Sequence, residues 1–120
     1  MPTQSLYERI GGFAEVHKLV SALYDGILDS DTLAPYFDSV DMPRLIDHQT
    51  NFVAFLMGGP ASYTDDAIQR VHQHLSIDRP AFDEMKALFV ATLADFGITG
   101  DDAVAVGSAL EARSILVISD

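Results

Sequence analysis

The sequence predicts an all-α protein. Apolar residues recur at intervals of three and four along the chain, sustained period-2 alternation of β-branched residues is missing, and no Asn-Gly hairpin signal occurs. Over Phe13 to Leu28 the periodicity puts Val16, Val20, Leu23, Tyr24 and Ile27 on one helical face. A second helix is predicted to take Asp41 as its N-cap with Pro43 in the first turn. It continues through Leu45, His48, Gln49, Phe52, Val53 and Leu56 and stops at Gly58-Gly59-Pro60. Thr64, followed by Asp65 and Asp66, reads as the cap of a short helix carrying Ile68, Val71, His72 and Leu75. Asp78 and Pro80 open a long helix with Phe82, Met85, Phe89, Leu93 and Phe96 at helical spacing, ended by Gly97. The last helix is expected to start near Asp101, turn Val106 and Leu110 inward and run to about Ile118. Two helices towards each end of the chain suggest an α-sandwich.

Length and composition narrow the function. A chain of 120 residues is expected to form a single domain, 1–120, and no repeat or low-complexity stretch divides it. Its 48% hydrophobic content supports a real core, while 21% charged residues keep the surface hydrated. No apolar run approaches the roughly 18 residues of a membrane span. Met1 to Glu8 lacks the apolar stretch of a signal peptide, so a cytoplasmic location is the expectation. The net charge of −11, from 7 basic and 18 acidic residues, opposes binding to nucleic-acid phosphates or to anionic lipid. The chain has no cysteine, which excludes thiolate catalysis, disulfides and iron–sulfur clusters. A metal would have to come through histidine, carboxylate or a cofactor.

Several polar residues fall where a core is expected. His48 and Gln49 interrupt the apolar face of the second helix, and Tyr24 brings a hydroxyl to the end of the first apolar stripe. An unpaired polar group costs roughly 1–3 kcal/mol to bury, so these side chains need one another or a ligand. Both readings are open on the residues alone. His72 shares a face with Ile68 and Leu75, as either a satisfied structural histidine or a metal ligand. His74 points almost opposite to it, so the pair cannot chelate one ion, and no H-E-x-x-H spacing supports zinc. His17, between Val16 and Lys18, is placed on the solvated face, and the acidic residues are scattered as solvated charge.

Together these fragments resemble a known family. Ser5-Leu6-Tyr7-Glu8-Arg9-Ile10-Gly11-Gly12 is followed by Tyr24-Asp25-Gly26-Ile27-Leu28, Leu33-Ala34-Pro35-Tyr36-Phe37 and Val40-Asp41-Met42-Pro43-Arg44-Leu45. Then come His48-Gln49, Gly58-Gly59-Pro60 with Tyr63-Thr64, and Val71-His72-Gln73-His74-Leu75-Ser76-Ile77. In this order and spacing they resemble the group I truncated haemoglobins from Ser5 nearly to the C-terminus. The resemblance implies a truncated globin, a two-over-two α-helical sandwich with glycine pairs at positive φ in its shortened turns; Gly11-Gly12 and Gly58-Gly59 match those turns.

It further implies haem b (iron protoporphyrin IX) held through His72 as the proximal iron ligand. Tyr24 matches the distal tyrosine that donates a hydrogen bond to bound dioxygen, and Gln49 the glutamine that supports it. Leu45 takes a distal position that is often glutamine in the family. Phe37 matches the phenylalanine packed on the haem face, and Phe52, Ile77 and Phe82 are expected to line the haem. Arg44 and Arg70 are assigned to its propionates. His48 matches a histidine that in some cyanobacterial relatives binds iron as a sixth ligand; the alternative is a solvent-edge residue. Those relatives can also attach haem through a histidine in the last helix, whereas this chain has none after His74.

Three functions follow as expectations. The first is reversible binding of dioxygen and other diatomics such as NO and CO, for transport, storage or sensing. The second is a nitric oxide dioxygenase-type enzyme that relies on an external reductase. The third, a haem-free helical interaction module, leaves Tyr24, Gln49 and His72 in need of other partners.

Overall fold

The helix signals read from the sequence have local physical causes that the computed structural model makes visible over residues 5–60 and 77–114. The described elements are α1 (Leu6–Ile10), α2 (Phe13–Leu28), a 3-10 turn η1 (Ala34–Phe37), α3 (Met42–Leu56), α4 (Arg79–Asp95) and α5 (Gly100–Glu111). There is no strand among the described residues. The short helix expected around Ile68 and His72, and the stretch towards Ile118, lie outside them.

Caps set the starts. The Asp41 carboxylate accepts from the Arg44 backbone N–H at 3.3 Å, and Asp78 does the same for Ala81 at 2.9 Å. Each is followed by a proline in the first turn, where a missing N–H costs nothing. At α1, Ser5 and Glu8 form a reciprocal capping box that the apolar pattern alone did not reveal. The last helix starts at Gly100, one residue before the expected Asp101.

Packing follows from the faces. The inward stripe of α2 is nearly dry, with Val16, Leu19 and Val20 fully buried and Ile27 at 1% exposure. This helix packs on α3 and on α4, while α5 packs on α4 and touches α3. Two helix pairs thus lie across each other, with Phe82, Phe89 and Leu93 of α4 and Val106 and Leu110 of α5 closing the core. No described helix is long and apolar enough to cross a membrane.

One residue at the helical spacing of the long helix is not in the core. Phe96 is 38% exposed, because α4 ends one residue earlier. The Ile98 N–H reaches back to the Leu93 carbonyl at 2.9 Å and Gly97 N–H to Ala94 at 3.0 Å, with Gly97 at φ 81°. This double-bonded left-handed turn brings the residue after the glycine against the third-last helical residue. Ile98, 4% exposed, therefore packs into the core at this end of α4 where Phe96 does not.

The glycine pairs act by two different means. Gly11, Gly12 and Gly58 adopt φ of 113°, 81° and 84°, which L side chains rarely reach. Gly59 has no positive φ; it is instead a matter of space. A Cβ there would sit 2.8 Å from the Tyr7 ring and 2.9 Å from the Ala54 carbonyl. That close approach docks α1 on the end of α3, where the Tyr7 N–H also donates to the Met57 carbonyl at 3.1 Å. Gly59→Ala is expected to cost about 1–3 kcal/mol by overpacking, read as a lower urea midpoint in equilibrium unfolding.

Two forked ion pairs tie distant segments. Arg9 grips Asp102 through two bonds of 2.9 and 2.8 Å, joining α1 to α5. Arg79 grips Glu111 at 2.9 and 2.7 Å, and Lys86 adds a third contact at 3.2 Å. The Arg79 guanidinium holds the Glu111 carboxyl down from an ordinary 4.5 to about 2. A carboxylate depressed in the folded state stabilises it above the unfolded value and loses that contribution on acidification. The window runs from about pH 4.5 down to about pH 2. Glu111→Gln should give a shallower fall of Tm with acid across that window than wild type, measured by circular dichroism melts.

Candidate functional site

The α2 stripe that forms the core also carries the site's principal donor. Tyr24 is 7% exposed, one turn before Ile27, and its ring meets the Phe37 ring edge-on at 5.5 Å between centroids. Burial pushes its hydroxyl pKa well above the ordinary value near 10, and a hydrogen bond with the Gln49 side chain partly offsets that shift. The Tyr24 hydroxyl therefore keeps its proton throughout the neutral range. Gln49 reaches it from α3, so the pair bridges the two helices.

Beside this pair lies a cavity of about 200 Å³, and its atom-free space, open mouth included, is about 1100 Å³. Helices α2, α3, α4 and α5 and the turn η1 contribute to its walls. Tyr24, Phe37, Leu45, Gln49, Phe52, Ile77 and Phe82, all singled out from the sequence, line it together. Tyr24, Gln49 and Tyr36 are its only polar side chains among the described residues, and none of its lining residues there is charged. Such a wall favours an apolar ligand, with a hydrogen-bond donor in a low-dielectric setting where it acts more strongly than in water.

Other sequence-selected residues lie elsewhere. Arg44 is exposed in the first turn of α3, next to Leu45 but not on the cavity wall. His48 is likewise exposed on α3 and is not among the lining residues. His72 and Arg70 lie outside the described residues. His17 is half-exposed, as expected for the solvated face, with its Nε2 3.4 Å from Asp47 across the α2–α3 contact. Among the described residues no group of three or more His, Cys, Asp or Glu side chains is arranged to hold a metal ion.

The wall also contains residues not selected as site residues. Tyr36, Leu33 and Leu56 line it, as do Met85 on α4 and Leu110 on α5. Met85 and Leu110 were legible only as core-facing positions, since periodicity marks an inward face without telling core from cavity. Tyr36 adjoins Phe37 in η1, where Pro35 sets the turn, and that adjacency was the available signal.

The family model of bacterial-like globins matches residues 5–111. A group 1 truncated haemoglobin of Tetrahymena pyriformis is 30% identical over 96 residues, covering 80% of this chain and 79% of that protein. The chain belongs to the group 1 truncated haemoglobins. Another member, from Synechocystis, is 29% identical over 101 residues, covering 81% of this chain and 82% of its own length. The crystal structure of the Tetrahymena pyriformis truncated haemoglobin in its Fe(III) form superposes with a TM-score of 0.86 at 24% identity, covering 98% of this chain and 100% of the other. A Synechococcus 2/2 haemoglobin, in the cyanomet state with covalently attached haem, gives 0.87 at 25% identity, covering 96% and 98%. The two-over-two helical fold of the truncated haemoglobins is thus the fold of this chain.

Proposed function

We propose that this truncated haemoglobin binds haem b and reversibly takes up dioxygen, with NO and CO as further ligands. The observation that carries the reading is the hydrogen-bonded Tyr24–Gln49 pair on the wall of an apolar cavity. The donor set fits the group. Phe37, Phe52, Ile77, Phe82 and Met85 offer apolar surface to a planar ring, and the polar pair lies on the same wall. Bound haem supplies an iron that can accept a small diatomic ligand.

The chain's own residues do the rest. His72 is taken as the residue that holds the iron, on the strength of the family motif alone. Tyr24 donates its hydroxyl proton into the cavity, and Gln49 fixes the direction of that hydroxyl. A ligand that gains negative charge on binding is stabilised by such a fixed donor, and an apolar wall keeps competing water away. Leu45, one helical turn from Gln49, adds bulk without a second donor. Arg44 and Arg70 are assigned to the cofactor carboxylates, and a cytoplasmic reductase is the proposed source of electrons.

The test is direct. Hemin-reconstituted protein, reduced with dithionite and desalted, is cycled between argon and air while its visible spectrum is recorded. Reversible interconversion of two spectra over several cycles is expected. Prompt, irreversible conversion to the ferric form would contradict reversible dioxygen binding.

A further inference from the structure

The cavity poses an electrostatic problem that its walls answer at one residue. Protoporphyrin carries two carboxylates, and an ionised carboxylate is costly to bury without a partner. No charged side chain lines the cavity among the described residues, so the walls they form favour a carboxylate edge at the mouth. Of the three polar lining residues, Tyr24 and Gln49 are engaged with each other. Tyr36 is left. It is half-buried in η1, and the residues that follow it, Asp38 to Asp41, are exposed, which puts it at the rim. Its hydroxyl has no hydrogen-bond partner among the described residues. Pro35 beside it restricts the backbone of the turn, so the ring is presented from a stiff segment. A tyrosine at such a boundary keeps its ring against apolar surface and its hydroxyl towards water.

We propose that Tyr36 is a cofactor-anchoring residue, its hydroxyl donating a hydrogen bond to a carboxylate of the porphyrin at the cavity mouth. This rests on the haem-binding reading above and adds to it a residue that the sequence motif left without a role. A hydrogen bond to an ionised group contributes about 1.5–3 kcal/mol, which corresponds to at least about tenfold in the rate of cofactor loss.

Tyr36→Phe keeps the ring and removes only the hydroxyl. Wild type and variant are loaded with hemin or with its dimethyl ester, which lacks the charged carboxylates. Transfer of the porphyrin to excess apomyoglobin is followed by the Soret change. Hemin should leave the variant about tenfold faster than wild type, while the ester leaves both at one rate. Equal hemin loss from both proteins would overturn the anchor. Equal acceleration with hemin and ester would also overturn it, since packing alone would then explain the effect. A wild-type protein that develops no Soret band with hemin would overturn the haem-binding reading itself, and the anchor with it.

Discussion

Dioxygen is expected to leave the hemin-reconstituted, reduced Tyr24→Phe protein about 10- to 100-fold faster than it leaves wild type. The substitution keeps the ring, and with it the edge-on contact to Phe37 at 5.5 Å. What it removes is a buried hydroxyl, the donor on the cavity wall. A donor to a ligand that bears partial negative charge is worth more than a neutral pair, and more again in an apolar cavity. Stopped-flow mixing with excess CO reads the dioxygen off-rate. The raised pKa of Tyr24 has a separate consequence for wild type. The unfolded chain loses its tyrosine protons near pH 10, while Tyr24 in the fold holds its proton to higher pH. Stability should therefore fall above about pH 10, and Tyr24→Phe should reduce the slope of that fall. An off-rate within twofold of wild type would remove Tyr24 from the role of donor.

The second large effect concerns the core. Leu19 is fully buried on α2, the helix that packs on both α3 and α4, and it is not on the cavity wall. Leu19→Ala removes three buried carbons and leaves a void that neighbouring side chains fill only in part. The expected loss is about 2–5 kcal/mol, measured by urea unfolding of the reconstituted protein with an unchanged m-value. Because Leu19 is not on the cavity wall, the dioxygen off-rate of the folded fraction should stay close to wild type. A large change in off-rate would show that α2 shifts as a whole when its core anchor is lost.

Much of the fold was legible because its causes are local. The stripe Val16, Val20, Leu23, Tyr24, Ile27 needs only helical periodicity, and all five are buried. Asp41 with Pro43 and Asp78 with Pro80 announce helix starts through side chains that act within one turn. What stayed hidden depends on partners remote in sequence. Arg9 and Asp102 meet across 93 positions, and the need for Gly59 arises from the Tyr7 ring packed against it. Phe96 illustrates a different limit. Its spacing fits the α4 stripe, but the turn at Gly97 ends the helix and gives the core position to Ile98. At the cavity, the family motif selected Tyr24, Gln49, Phe37 and Phe82, whereas Tyr36 and Leu110 emerged only once the helices were packed. A cavity wall is assembled from several elements, and no single element's pattern records it.

The most direct test of the account is the absorption spectrum of the protein titrated with hemin, for wild type and His72→Ala. In wild type a Soret band should grow and saturate at one hemin per chain. In His72→Ala the band should be weakened and shifted, and added imidazole should restore it. Failure of wild-type protein to develop a saturable Soret band would contradict the account at its centre.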